Sequence, residues 1–461
     1  MSGADWSSRR SSREMARSYT SSDVQIAPGA APADAVEVQE RPSNIRRNVL
    51  WLTVAVYMIT YMDRVVIATA APSIQKEFNF SLQTMGWIFS AFQIGYAACQ
   101  IPGGWMGDRF GARRALSGVV VWWSIFTAGT AMMWSAASMF VCRLLFGMGE
   151  AGSFPIATRS LSRWMLPAER GWALGVTHAG ARLGGAFTPV LVAFLIAALG
   201  WRTPFFIFAI IGLAWALLWY CYYRDDPADH RGVNAAERSM IGASLGKSSA
   251  LRGAVIWRCL IRAPQLWLLS VAYFCYAYSL AIFLTWFPKY LVDARGFNLA
   301  QMGLFASLPL MAGVVGDLAG GWISDRWLRY SGNLKLARRI VACVGFVLAG
   351  VMIPIATLSH DSMFSVACFS AAVFGLELTV GVSWAITLDV GGDCAGSVSA
   401  AMNTFGNTGG AIAAALTAYL VAHSGWPLAF FVPSGLSLLA AVLFLRIDAS
   451  RRLVFERPRT V

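Results

Sequence analysis

Twelve apolar runs, each about as long as a membrane-crossing helix, follow one another from residue 48 to residue 446. They cover 48–71, 84–104, 114–134, 138–160, 171–198, 204–223, 266–288, 300–323, 339–358, 363–386, 397–422 and 428–446. Each predicts an α-helix, because a run of about 20 apolar residues spans the hydrocarbon core and only a helix satisfies its own backbone there. The longest interruption, 224–263, contains DDPADHRGVNAAERSMI, the pattern of a short amphipathic helix in a linker. It divides the runs six and six, predicting one bundle over 46–223 and a second over 264–447. Residues 1–45 are rich in Ser, Arg, Ala and Pro, with no hydrophobic period and no signal-peptide core. A disordered cytoplasmic tail is expected there, followed by a retained first span. Residues 448–461 form a second cytoplasmic tail.

Composition narrows the class. Of 461 residues, 57% are hydrophobic and 13% charged, about half the charge usual in a soluble domain. Soluble, disordered and collagen-like architectures are excluded. A net charge of +13 would suggest nucleic acid in a soluble chain, yet no basic region here forms a domain of its own. The distribution supplies another reason. Of the 37 Lys and Arg, 30 fall in the tails, the linker and the loops on one side, and 4 in loops on the other. Basic residues concentrate on the cytoplasmic face, so both termini are predicted inside. The 8 cysteines are scattered without a CxxC pair, as packing residues rather than a disulfide or metal framework. With four His, no HExxH and no Gly-rich phosphate loop, no catalytic residue, metal or cofactor is expected, and a polytopic enzyme is disfavoured. No short apolar segment is left over for the re-entrant filter of a channel.

An internal repeat adds architecture. GGWMGDR at 103–109 recurs as GGWISDR at 320–326, each after the second run of its half, as in transporters built from two parallel six-helix halves about a central site. The first copy supplies Gly104, Asp108, Arg109, Gly111, Arg113 and Arg114; the second supplies Gly321, Asp325 and Arg326, with Arg338 and Arg339 after a longer insertion. This pattern resembles the GxxxDRxGxRR loop signature of the major facilitator superfamily. Glycine would let a helix end approach its neighbour. The Asp would pair with Arg or cap a helix, forming a cytoplasmic gate that breaks when the halves rock.

YMDR at 61–64, RLLFGMGEAGSFP at 143–155, FLTWFPKYL at 283–291 and MNTFGN at 402–407 resemble the anion:cation symporter family within that superfamily. The resemblance implies an all-α membrane protein of twelve transmembrane helices in two six-helix bundles. It also implies proton-coupled symport of a small organic anion, such as a hexonate, hexuronate or aldarate, by alternating access in a bacterial inner membrane. The partners implied are a small carboxylate, protons and surrounding lipid, with no nucleic acid, a monomeric working unit, and the proton gradient in place of a cofactor. An antiporter or exporter on the same fold is the alternative.

Seven ionisable residues lie within the apolar runs: Arg64, Arg143, Arg182, Asp63, Glu150, Asp317 and Glu377. Unpaired in lipid they would cost on the order of 20 kcal/mol at roughly 3 each, so they must face one another or water inside the bundle. Arg143 and Glu150 stand two turns apart on one helix face, with Gly147 and Gly149 between them. Arg143 either pairs internally with the acids or offers its planar guanidinium to a substrate carboxylate. Tyr57, Tyr61 and Arg64 form one stripe, and Asp63 points about 100° away. By resemblance Arg64 grips the anion, while Asp63 and Glu150 carry protons. Arg182, one turn after His178, departs from the family pattern. Facing the cavity it would suit a substrate with two carboxylates; otherwise it pairs with a neighbouring helix. Tyr96, near Gln93 and Gln100, joins Tyr276, Trp384, Asn403 and Asn407 as candidates for reading hydroxyls, the best by resemblance being Tyr96, Trp384 and either Asn403 or Asn407. Asp317 is a candidate for the gate, and Glu377 has no assigned place.

Overall fold

The structure is a computed structural model that describes residues 41–166, 169–242, 263–391 and 395–450. The tail predicted over 1–45 lies outside the described residues up to residue 40, as does 451–461 of the second tail. The described chain from Pro42 onward is all helical, with α1 at Ile45–Phe78, α2 at Leu82–Met132, α3 at Ala136–Glu150 and α4 at Ser153–Trp164. These are followed by α5 at Arg170–Leu199, α6 at Thr203–Tyr222, α7 at Ala235–Gly242 and α8 at Pro264–Thr285. The remainder are α9 at Phe287–Asp293, α10 at Leu299–Ser331, α11 at Leu334–Leu358, α12 at Ser362–Gly391 and α13 at Ala395–Phe444.

Nine of these helices are long and apolar enough to cross a membrane. Two of the nine each join a pair of predicted runs across a glycine with positive φ, Gly111 at 78° in α2 and Gly425 at 77° in α13. Only glycine adopts that conformation without strain, so each long helix turns there into two rods. Ala151 and Gly152, between α3 and α4, keep right-handed helical angles, and α3–α4 corresponds to the single run predicted over 138–160. The apolar faces of α5 and α6 leave Phe194, Ile210 and Leu217 exposed, as expected where lipid rather than protein covers a helix. This is an integral membrane protein.

The side that carries both ends of the described chain, the start of α1 and the end of α13, is tied together locally. Glu237 of α7 is fully buried and accepts the backbone N–H groups of Ile45 at 3.1 Å and Arg46 at 3.2 Å, capping α1. Among the described residues, the stretch DDPADHRGVNAAERSMI holds a 3-10 turn at Pro227–Asp229 and then α7, which is fastened to the first span. Asp225, just after α6, caps the rod beginning at Ala112, whose N–H it accepts at 2.5 Å.

The two halves meet on the side away from the termini. A Cβ on Gly303 of α10 would stand 2.5 Å from that of Ala193 in α5. One on Gly86 of α2 would stand 2.7 Å from that of Ala418 in α13. The Ser90 hydroxyl donates to the Ala411 carbonyl at 2.8 Å, and the Phe89 and Trp286 rings meet edge to face at 5.1 Å.

Both signature loops form the Asp–Arg pairing expected of them. Asp108 pairs with Arg159 at 2.6 Å and Asp325 with Arg338 at 2.8 Å, and each pair stays within its own half. Arg113 donates to the Tyr220 carbonyl at 2.8 Å, bolting the second rod of α2 to α6. Arg109 and Arg326 lie over the rings of Trp105 and Trp322. The close-approach glycines are the neighbours of those expected. Gly104 meets only ordinary contacts and Gly321 open space, whereas a Cβ on Gly103 would fall 2.5 Å from Gly152 Cα. One on Gly320 would fall 2.1 Å from the Leu378 carbonyl oxygen.

Candidate functional site

At mid-depth between the halves is a chamber of about 630 Å³, part of it open to solvent. The first half contributes Tyr57, Tyr61 and Arg64 from α1, Tyr96 from α2, Phe154 from α4, and His178 and Arg182 from α5. The second contributes Tyr273 from α8, Trp384 from α12, and Asn403 and Asn407 from α13. Seven of the nine residues predicted to bind substrate therefore share one cavity: Tyr61, Arg64, Tyr96, Arg182, Trp384, Asn403 and Asn407.

Arg64 is the cation at its centre. Its guanidinium ion-pairs with Glu150, which is fully buried at the end of α3. The rings of Tyr61, Phe92 and Tyr96 surround it at 4.8–5.2 Å. These rings exclude water from the flanks and add cation–π attraction. Nε and Nη2 serve Glu150, while the head remains part of the chamber wall. That is the geometry of a cation held by one buried acid with a face left for a ligand.

Asp63, next in the chain, turns away as its position on the helix requires. It is fully buried, and neither carboxylate oxygen makes a hydrogen bond. Thr127 and Trp123 of α2 present polar groups toward it, and Arg143 and Glu150 are within electrostatic reach. Arg143 does not line the chamber, contrary to its reading as a second substrate-binding Arg. It is 2% exposed, lies over the Phe146 ring at 4.2 Å and the Phe92 ring at 5.4 Å, and its Nε has no partner. Phe92 stands against both Arg143 and Arg64, and it is the wall that keeps Arg143 out. Asp63 and Glu150 are the acids within electrostatic reach of Arg143.

Tyr276 is corrected in the same way. On α8 it is Tyr273 that lines the chamber, with its hydroxyl accepting the Trp384 indole N–H at 3.2 Å. Tyr276, nearly a full turn further, is buried between Arg182 and Glu377. Its hydroxyl accepts from Arg182 Nη2 at 3.0 Å and donates to Glu377 at 3.2 Å. Arg182 also ion-pairs with Glu377 at 3.1 Å, joining α5 of the first half to α12 of the second. Asp317 is within electrostatic reach of Arg182 rather than paired at the signature loop. Sequence reading missed Phe154 and Tyr273, because an aromatic residue in an apolar run carries no sign of which face it occupies. His178 packs among Tyr57, Phe154 and Trp384. The Asn407 amide donates to Gln100 at 3.3 Å across the halves.

The sequence pattern of the Major Facilitator Superfamily matches residues 53–414. The chain belongs to that superfamily. As a superfamily member it is a transporter and not an enzyme. A protein of Cupriavidus necator named as a probable sulfoacetate transporter is 42% identical over 407 residues, 87% of this chain and 94% of its own. The hexuronate transporter of Bacillus subtilis is 33% identical over 84% of this chain and 91% of its own. A probable galactarate/D-glucarate transporter of the same organism is 29% identical over 90% and 95%. Among solved structures, a bacterial homologue of the human lysosomal transporter Spinster, inward-facing and occupied, superposes with a TM-score of 0.70 at 17% identity. The match covers 87% of this chain and 96% of that one, and supports the superfamily fold.

Proposed function

We propose that this protein is a proton-coupled symporter of small organic anions, sugar acids or short sulfonate-carboxylates, in the bacterial inner membrane. The observation that carries the reading is Arg64, paired to buried Glu150 and still part of the chamber wall. The positive-inside distribution of Lys and Arg puts both termini in the cytoplasm. The closed contacts through Gly86 and Gly303 then lie on the outer side, and the conformation is inward-facing.

The coupling follows from competition for one cation. A substrate anion that takes the free face of Arg64 draws the guanidinium off Glu150. A buried carboxylate that loses its partner is too costly to leave charged, so it takes up a proton. Asp63, outside the chamber with Arg143 within electrostatic reach, is the second proton-carrying acid. Tyr96, Asn403, Asn407 and Trp384 supply the hydrogen bonds and the aromatic face a hydroxylated chain needs. The relatives named for hexuronate, galactarate/glucarate and sulfoacetate transport favour the same anionic class.

The test is uptake into proteoliposomes under an imposed inward proton gradient, across hexonates, hexuronates, aldarates and sulfoacetate. Gradient-driven accumulation of at least one of these is expected. Uptake that ignores the gradient, or accumulation of none of them, overturns the reading.

A further inference from the structure

Arg182, paired with Glu377, lines two cavities at once. Arg182 and Glu377 both border a second, narrow crevice with Tyr61, Gly185, Leu280, Leu284, Leu310 and Val373, and Arg182 also lines the main chamber. Leu284 lies near the end of α8 away from the termini, so the small cavity is on the closed side. The pair therefore stands as a partition between the chamber and that side, and its two members belong to different halves.

Only Nη2 of Arg182 is engaged by Tyr276 and Glu377. Its guanidinium carbon is 5.4 Å from the centroid of the Tyr61 ring, and that of Arg64 is 5.1 Å from the same centroid. The two cations stand no farther apart than those distances laid end to end, and a short chain with an anionic group at each end can bridge them. Resting on the proposed organic-anion site, we infer that Arg182 binds the second anionic group of a dianionic substrate, with Glu377 as the internal competitor that occupies it when the chamber is empty.

The same competition loosens the partition. Separating the halves in the empty protein would strand two buried charges. A second substrate anion on Arg182 satisfies that cation from within its own half. Glu377, left without its cation, takes up a proton as Glu150 does, and keeps the Tyr276 hydroxyl, which travels on its own half. A monoanion already spent on Arg64 offers Arg182 nothing.

The experiment is binding by the purified full-length transporter of two matched pairs: D-glucarate against D-glucuronate, and sulfoacetate against ethanesulfonate. Wild type is expected to prefer the dianion of at least one pair by tenfold or more, and Arg182→Gln to lower that ratio by at least tenfold. Glu377→Gln, which removes the competitor and keeps the shape, is expected to raise dianion affinity severalfold. An unchanged ratio in Arg182→Gln, or dianion affinity unchanged or lowered in Glu377→Gln, overturns the inference. Should Arg182→Gln fail to fold, Glu377→Gln decides alone. Wild type that binds monoanions as well as dianions, or that binds none of the four, overturns this inference; the symporter reading falls separately, on failure of gradient-driven accumulation across all the anion classes.

Discussion

Asp63 and Arg64 are adjacent in sequence and belong to different polar clusters. Arg64 borders the chamber and ion-pairs with Glu150, while Asp63 is sealed against α2 with both carboxylate oxygens unbonded. One turn of backbone thus carries both a ligand-facing cation and a water-excluded acid. The seven charges that composition alone made expensive are paid for in two groups: Arg64, Arg143, Asp63 and Glu150 in the first half, and Arg182, Glu377 and Asp317 across the halves.

Asp63→Asn and Glu150→Gln should each abolish accumulation driven by a pH gradient while keeping substrate exchange. Counterflow and gradient-driven uptake measured on the same proteoliposomes separate the two. Full active uptake in both variants would remove these acids from coupling.

The Arg64–Glu150 pair should show strong thermodynamic coupling. Arg64→Gln leaves Glu150 buried without its partner, a loss of about 3–5 kcal/mol for a charge that stays ionised. The double variant Arg64→Gln/Glu150→Gln should recover much of it. Thermal unfolding of the four proteins in detergent gives the cycle, and additive effects would show that the pair is not the unit described.

Gly86 and Gly303 should be intolerant of bulk for a conformational reason. A leucine at either position cannot fit while its neighbour's Cβ would be 2.7 or 2.5 Å from its own. Each variant should hold the outer side open. Labelling of a cysteine placed at Leu310 by a membrane-impermeant maleimide should rise severalfold, with transport lost.

The Asp225 cap should be worth about 1–2 kcal/mol. Asp225→Ala frees the Ala112 and Arg113 N–H groups and should lower the melting temperature by a few degrees without changing substrate selectivity. A shift in selectivity would mean the cap shapes the chamber.

The helices and the charged core were legible in the sequence because both follow from one rule: apolar length makes a span, and a charge inside it must find a partner. Side-chain facing was less legible. Tyr273 and Tyr276 differ by one helical turn, and only packing decides that the first meets the chamber and the second meets Glu377. Arg143 was separated from substrate by Phe92, an apolar residue with no mark in the pattern. Glu377 had no place until α5 and α12 were seen face to face, because periodicity within a helix says nothing about contacts between helices far apart in the chain.

Asp108–Arg159 and Asp325–Arg338 fasten each half to itself in this conformation. Each half can pivot as a stiff lever, and resistance to turning is concentrated along the midline seam. Cargo needs to negotiate only that seam, so a change of diet across evolution could be accommodated there while the levers stayed as they are.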